Sequence, residues 1–165
     1  MYYLHKCGVD AQTIIASEFE HFIGVDKETL VIAVSQSGET MDVIEALKYA
    51  KKNNAKIVSI VNVPYSTIQR SSEASLNILA GQEVCVAATK SFVNQATLML
   101  AIAQKFGYQI NLDNLPEKIK NVLESKDQIK KIAETIYSHQ DLYVLGRGLS
   151  YPVAREIALK IKEIS

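Results

Sequence analysis

Leu30-Val-Ile-Ala-Val34 followed by Ser35-Gln-Ser-Gly-Glu-Thr40 is the stretch that decides the fold. The first five residues are continuously apolar and mostly β-branched, the pattern of a strand covered on both faces in a parallel sheet. A helix follows from about Thr40 to Asn53. Val43, Ile44, Leu47 and Ala50 form its core-facing stripe, and Asp42, Lys48, Lys51 and Lys52 its wet face. Between strand and helix lie three hydroxyls, a carboxamide and a glycine. A helix start offers unpaired N–H groups and partial positive charge to an anion. Ser35, Ser37 and Thr40 can each add a hydroxyl, and Gly38 lets backbone approach closely. Any one of these hydroxyls could equally be a helix cap. The cluster as a whole points to phosphate.

Outward from this centre, strand and helix signals alternate. Thr13-Ile-Ile-Ala16 reads as a short strand, Lys56-Ile-Val-Ser-Ile-Val61 as a second buried strand, and Val63-Pro-Tyr-Ser66 as a turn. A weaker strand is expected near Ser75 to Leu79. Ala88 to Phe106 is apolar almost all round and predicts a buried helix, suited to a subunit contact, that ends at Gly107. Asn114-Leu-Pro116 opens a lysine-rich helical connector reaching Ser138. Asp141-Leu-Tyr-Val-Leu145 reads as another strand, followed by Gly146-Arg-Gly148 and a helix from about Tyr151. Strands joined by helical crossovers make an α/β fold with a mainly parallel sheet, whose ligands sit at the C-terminal strand ends.

Bulk properties narrow the function. The chain has 165 residues, 48% hydrophobic and 22% charged, with 18 basic residues balancing 18 acidic ones. Net neutrality gives no field toward nucleic acid or anionic membrane, and no basic stripe with stacking aromatics is present. Cys7 and Cys85 match no metal or redox spacing, so neither metal nor cofactor is expected, and both read as buried thiols of a reducing cytoplasm. Met1 to Cys7 lacks the pattern of a signal peptide, and the most apolar run, Ala96 to Ala103, is too short to span a bilayer.

Ser35-Gln-Ser-Gly-Glu-Thr40 after such a strand resembles the phosphosugar-binding signature of sugar isomerase (SIS) domains. Ile15-Ala-Ser-Glu-Phe19, Gly81-Gln-Glu-Val-Cys-Val-Ala-Ala-Thr-Lys90, Leu145-Gly-Arg-Gly148, Tyr151-Pro152 and Ala158-Leu-Lys-Ile-Lys-Glu-Ile-Ser165 extend the likeness. Together they resemble the isomerase half of glutamine–fructose-6-phosphate aminotransferases. The resemblance implies a three-layer αβα sandwich over residues 1–112 without its N-terminal strand. It further implies a helical connector over 113–139, and the first strand and helix of a second SIS repeat over 140–165. It expects a fragment of a longer cytoplasmic protein that is a homodimer when intact.

By the same resemblance, Ser35, Gln36, Ser37 and Thr40 hold a sugar phosphate such as fructose 6-phosphate or glucosamine 6-phosphate. The Val86 backbone lies beside the sugar hydroxyls, and Ala88 stands where the family carries a serine that helps bind them. Thr89 and Lys90 either open the following helix or approach the ligand. Glu163 is implied as the base that moves a proton between neighbouring carbons during ketose–aldose isomerisation, with Lys160 the cation beside it. From spacing alone, Lys160 and Glu163 are a helical i,i+3 pair on a solvated face. The resemblance reaches Glu156 only weakly, and a structural partnership with a neighbouring Arg or Lys is its other reading. The 165-residue chain alone is expected to be inactive. A non-catalytic phosphosugar-binding module and a related deglycase or sugar-phosphate isomerase remain open as alternatives.

Overall fold

The computed structural model describes residues 1–164. The chain divides into a first unit made up essentially of Tyr3–Tyr108 and a second beginning at Gln109.

In the first unit, α1 (Tyr2–Lys6) and α2 (Ala16–Phe22) precede the alternation β1 (Leu30–Ser35), α3 (Met41–Lys52), β2 (Lys56–Val61), α4 (Thr67–Arg70) and β3 (Ala74–Asn77). Helix α5 (Lys90–Lys105) follows. The strands form one parallel sheet in the order β1-β2-β3, with Leu30 opposite Lys56 and Ser35 opposite Val61. Val58 to Val61 then pair with Ala74 to Asn77. All three strands therefore finish at one edge, as the alternation of signals requires.

Strand periodicity sends Ala33 and Ser35 to the same face as Ile57, Ser59 and Val61. That face carries the core, where Ala33, Ile57 and Val61 pack with Phe19, Ala46, Leu47, Ala50 and Ile68. The expected stripe of α3 is seen, with Leu47 and Ala50 buried, Val43 and Ile44 half-buried, and Asp42, Lys48, Lys51 and Lys52 exposed. The helix stops at Asn53, whose side-chain amide donates to the Tyr49 carbonyl at 2.9 Å, and Asn54 turns left-handed at φ 61°. Buried Ser59 is satisfied by donating to the Ser75 hydroxyl at 2.9 Å.

Several expectations are corrected. Thr13–Ala16 is not a strand: no neighbour pairs with it, and Ala16 opens α2. Ala16, Phe19 and Ile23 recur at helical spacing and pack on the core. β1 is not covered on both faces. Leu30 and Val34, on the side away from the core, are 54% and 40% exposed. Helix α5 is only partly covered, with Ser91 and Ala103 buried and Phe92 and Val93 on its surface. Cys85 is exposed in the segment before α5, and Cys7 is half-buried at the end of α1.

In the second unit, α6 (Leu115–Glu124) and α7 (Lys126–Ile136) give this stretch its expected helical structure, and neither contains a buried residue. Pro116 lies in the first turn of α6, where its missing N–H costs no helical bond. The strand expected at Asp141–Leu145 does not form among the described residues, and Tyr143 and Leu145 are exposed. A strand needs a partner ladder, and none lies beside this segment. The helix expected from Tyr151 is α8 (Ser150–Ile164). Ser165, the last residue of the second-repeat motif, lies outside the described residues. No helix among the described residues is long and apolar enough to cross a membrane.

Leu47 is 2% exposed at the centre of the core. Leu47→Ala is expected to lower unfolding free energy by about 2–5 kcal/mol in urea titrations, against less than about 0.5 kcal/mol for exposed Lys51→Ala.

Candidate phosphate site at the sheet edge

Ser35 ends β1, so its side chain points to the core face and is buried at 5% exposure. From there its hydroxyl organises the loop that follows. Ser35 Oγ accepts from the Gly38 N–H at 3.0 Å and lies 2.8 Å from Thr40 Oγ1, with either hydroxyl able to donate. Ser37 Oγ accepts from the Glu39 N–H at 3.1 Å. The sequence left open whether Ser37 or Thr40 caps α3. Neither does: Thr40 occupies the N-cap position, yet no side chain caps this helix start. The hydroxyls fold the loop instead, and the first turn of α3 is left without a side-chain acceptor.

Gly38 explains how the loop stays compact. Its φ is +66°, and a Cβ there would fall onto Ser66 Oγ and Cβ. Both conformation and space therefore demand glycine. The Gly38 carbonyl accepts from the Ile68 N–H at 3.0 Å. Glu39 Oε1 accepts from the Thr67 N–H at 2.7 Å, which ties the loop to the start of α4. That backbone bond, with help from the Thr67 hydroxyl and the Arg70 charge, holds the Glu39 carboxyl below its ordinary range. Ser66 Oγ, behind the loop, is buried without a hydrogen-bond partner.

Gln36 faces a depression that it shares with Asn62, Pro64, Gly81, Gln82 and Glu83. Asn62 connects these segments. Its backbone N–H donates to the Gln36 carbonyl at 3.1 Å, and its carboxamide bonds Ala80 and Gly81. Glu83 Oε2 accepts from the Ser91 N–H at 2.9 Å and from the Ser91 hydroxyl at 2.7 Å. The Ser91 backbone bond is the main reason the Glu83 carboxyl sits below its ordinary range, with the Ser91 hydroxyl next. Glu83 therefore anchors the start of α5 as an acidic group at a helix N-terminus.

Ser35, Gln36, Ser37 and Thr40 thus share one loop at the strand ends. Val86 is 85% exposed in the segment before α5, and Ala88 is half-buried with φ +45°. Thr89 is the N-cap of α5 and Lys90 its first residue, as one of the two readings had it. In the second unit, Lys160 Nζ lies 3.0 Å from Glu163 Oε2 and 3.3 Å from Glu156 Oε1 on one face of α8. The hydrogen bond to Glu163, followed by that to Glu156, raises the Lys160 pKa. Glu156 thus shares Lys160 with Glu163 as an ion-pair partner. Sequence reasoning missed Glu39, Asn62, Ser66 and Glu83 as organising residues. Only Glu83 had a visible signal, as an acidic residue seven positions before a helix start.

The chain is similar to known proteins in both sequence and fold. The curated glutamine–fructose-6-phosphate aminotransferase (isomerizing) of Corynebacterium glutamicum is 41% identical over 98% of the chain, which spans 28% of that protein. The aminotransferase of the same name from Thermotoga maritima is 40% identical over 95% of the chain, again at 28% of its length. The chain therefore spans little more than a quarter of the curated relatives it matches. Among solved structures, the C-terminal domain of glucosamine-fructose-6-phosphate aminotransferase from Francisella tularensis superposes with a TM-score of 0.82 and 36% identity, over 99% of this chain and 51% of that one. The family profile described as SIS domain matches residues 9–105, which include the whole sheet and the hydroxyl loop, and on that match the chain belongs to the SIS domain family.

Proposed function

We propose that the chain binds a phosphosugar through the Ser35–Thr40 loop and serves as isomerase segment of a glutamine–fructose-6-phosphate aminotransferase, converting fructose 6-phosphate to glucosamine 6-phosphate. The observation that carries this reading is the loop interlocked through Ser35 Oγ, Thr40 Oγ1 and the Gly38 N–H, ahead of a helix start with no side-chain cap. Such a start supplies oriented backbone donors and partial positive charge, and the hydroxyls add donors without charge repulsion. Gln36, within the loop, faces the depression where a sugar ring would extend, toward Gly81 and Glu83. The Val86 backbone and Ala88 are assigned to the sugar on the family likeness.

In the same reading Glu163 is the proton-transferring base and Lys160 the cation that steadies developing negative charge. Their 3.0 Å ion pair supports the pairing of roles, since a carboxylate held by a neighbouring cation stays oriented while it accepts a proton. The intact protein is further proposed to be a cytoplasmic homodimer, and the exposed Phe92 and Val93 on α5 suit a subunit contact.

Calorimetric titration tests the binding half. Fructose 6-phosphate is expected to bind and fructose not, and Thr40→Ala to weaken binding by about 1–2 kcal/mol, the scale of a hydrogen bond to a charged group. Equal affinity for glucose and glucose 6-phosphate would sink the assignment.

The catalytic half is tested in a chimaera that joins these residues to the remaining segments of an aminotransferase relative. Glu163→Gln there is expected to abolish turnover and solvent exchange of the substrate protons by NMR, with ligand affinity nearly unchanged. Undiminished exchange would leave Glu163 a purely structural helix residue, and the protein a binding module with its base elsewhere.

A further inference from the structure

Asn62 follows the last residue of β2 and bonds in two directions. Its backbone N–H donates to the Gln36 carbonyl at 3.1 Å, which orients the peptide plane between Gln36 and Ser37 inside the hydroxyl loop. Its side chain reaches the segment leading to α5: Oδ1 accepts from the Ala80 N–H at 2.9 Å, and Nδ2 donates to the Gly81 carbonyl at 2.6 Å. This paired bonding continues the β2–β3 ladder with a side chain. The main-chain bond just before it runs from the Ile78 N–H to the Val61 carbonyl at 2.9 Å. Leu79 and Gly81, at φ +58° and +66°, then turn the chain away from the sheet. The carboxamide grips the backbone between those two turns. At the far end Glu83 grips Ser91, so the exposed Val84–Val86 stretch springs from a segment held at both ends.

We propose that Asn62 is a positioning residue for phosphosugar recognition, whose carboxamide sets the spacing between the phosphate loop Ser35–Thr40 and the sugar-facing segment Gly81–Thr89. The proposal rests on the phosphosugar reading above. A ligand that bridges two segments gains full affinity only if they are already held at the matching distance, because ordering a loose segment on binding costs entropy. Inorganic phosphate engages the first loop alone and is indifferent to the second. Fructose 6-phosphate spans both.

Asn62→Ala separates the two functions, since it removes the carboxamide and keeps the backbone N–H that holds Gln36. Titration of the whole chain with inorganic phosphate and with fructose 6-phosphate, after a thermal melt confirms folding, is the test. Phosphate affinity is expected to stay within about twofold of the unmutated chain, while fructose 6-phosphate affinity falls about tenfold, the scale of one or two lost hydrogen bonds. Equal loss for both ligands would show a merely structural role, and no loss for fructose 6-phosphate would equally overturn the proposal. Asn62→Asp keeps an acceptor for the Ala80 N–H but sets a carboxylate against the Gly81 carbonyl. It is expected to show the same selective loss, and it decides the question if the alanine variant does not fold. An unmutated chain that binds neither ligand would instead defeat the phosphosugar reading itself, and this proposal with it.

Discussion

The parallel pairing of β1 with β2, in the register that sets Ser35 opposite Val61, is the constraint on which the candidate site depends. Because the side-chain period of a strand is two residues, a slip of one position would swap the faces of either strand. Ser35 would then leave the core side, and its hydroxyl could not reach Gly38 and Thr40. The same register brings Asn62, one residue past β2, under the carbonyl of Gln36. Burial fixes the register: Ala33, Ile57 and Val61 must face Leu47 and Ala50 for the core to close.

Polar groups around the hydroxyl loop hold its architecture together. Ser35 Oγ accepts from Gly38 and shares one proton with Thr40, Ser37 Oγ accepts from the Glu39 N–H, and Glu39 accepts from Thr67. The Ser37 proton and one of the Ser35/Thr40 pair are not used by these bonds, on a rigid turn in front of a helix start with no side-chain cap. Rigidity matters because a small anion offers few contacts, and donors that need no rearrangement bind it at the least entropic cost. Gly38 pressed against Ser66 belongs to the same economy of space. The turn is held from behind as well as from within.

The second unit follows a different physical logic. Its helices α6 and α7 bury no residue, and α8 buries only Ala154 among its described residues. Leu142, Tyr143 and Leu145 are exposed because strand formation is cooperative with a neighbouring strand, which this segment does not have. Lys160, Glu156 and Glu163 form a local ion-pair cluster, set by helical spacing alone.

Local sequence was sufficient for whatever depends on short-range periodicity and turn chemistry. The apolar run at 30–34, the stripe on α3, the Asn53-Asn54 stop and the Pro116 start were all legible, because each is written within one turn or one strand. The hydroxyl cluster was legible as one compact loop between strand and helix for the same reason. Tertiary structure decided what depends on a partner distant in sequence. It made 13–16 the approach to a helix and left 141–145 unpaired. It also left Leu30 and Val34 open on one face, and gave Asn62 and Glu83 organising roles that no spacing announces. A hydrogen bond between residues eighteen or nineteen apart, such as Asn62 to Ala80 or Gly81, leaves no periodic trace in the chain. It exists only once the sheet has brought both ends to the same edge.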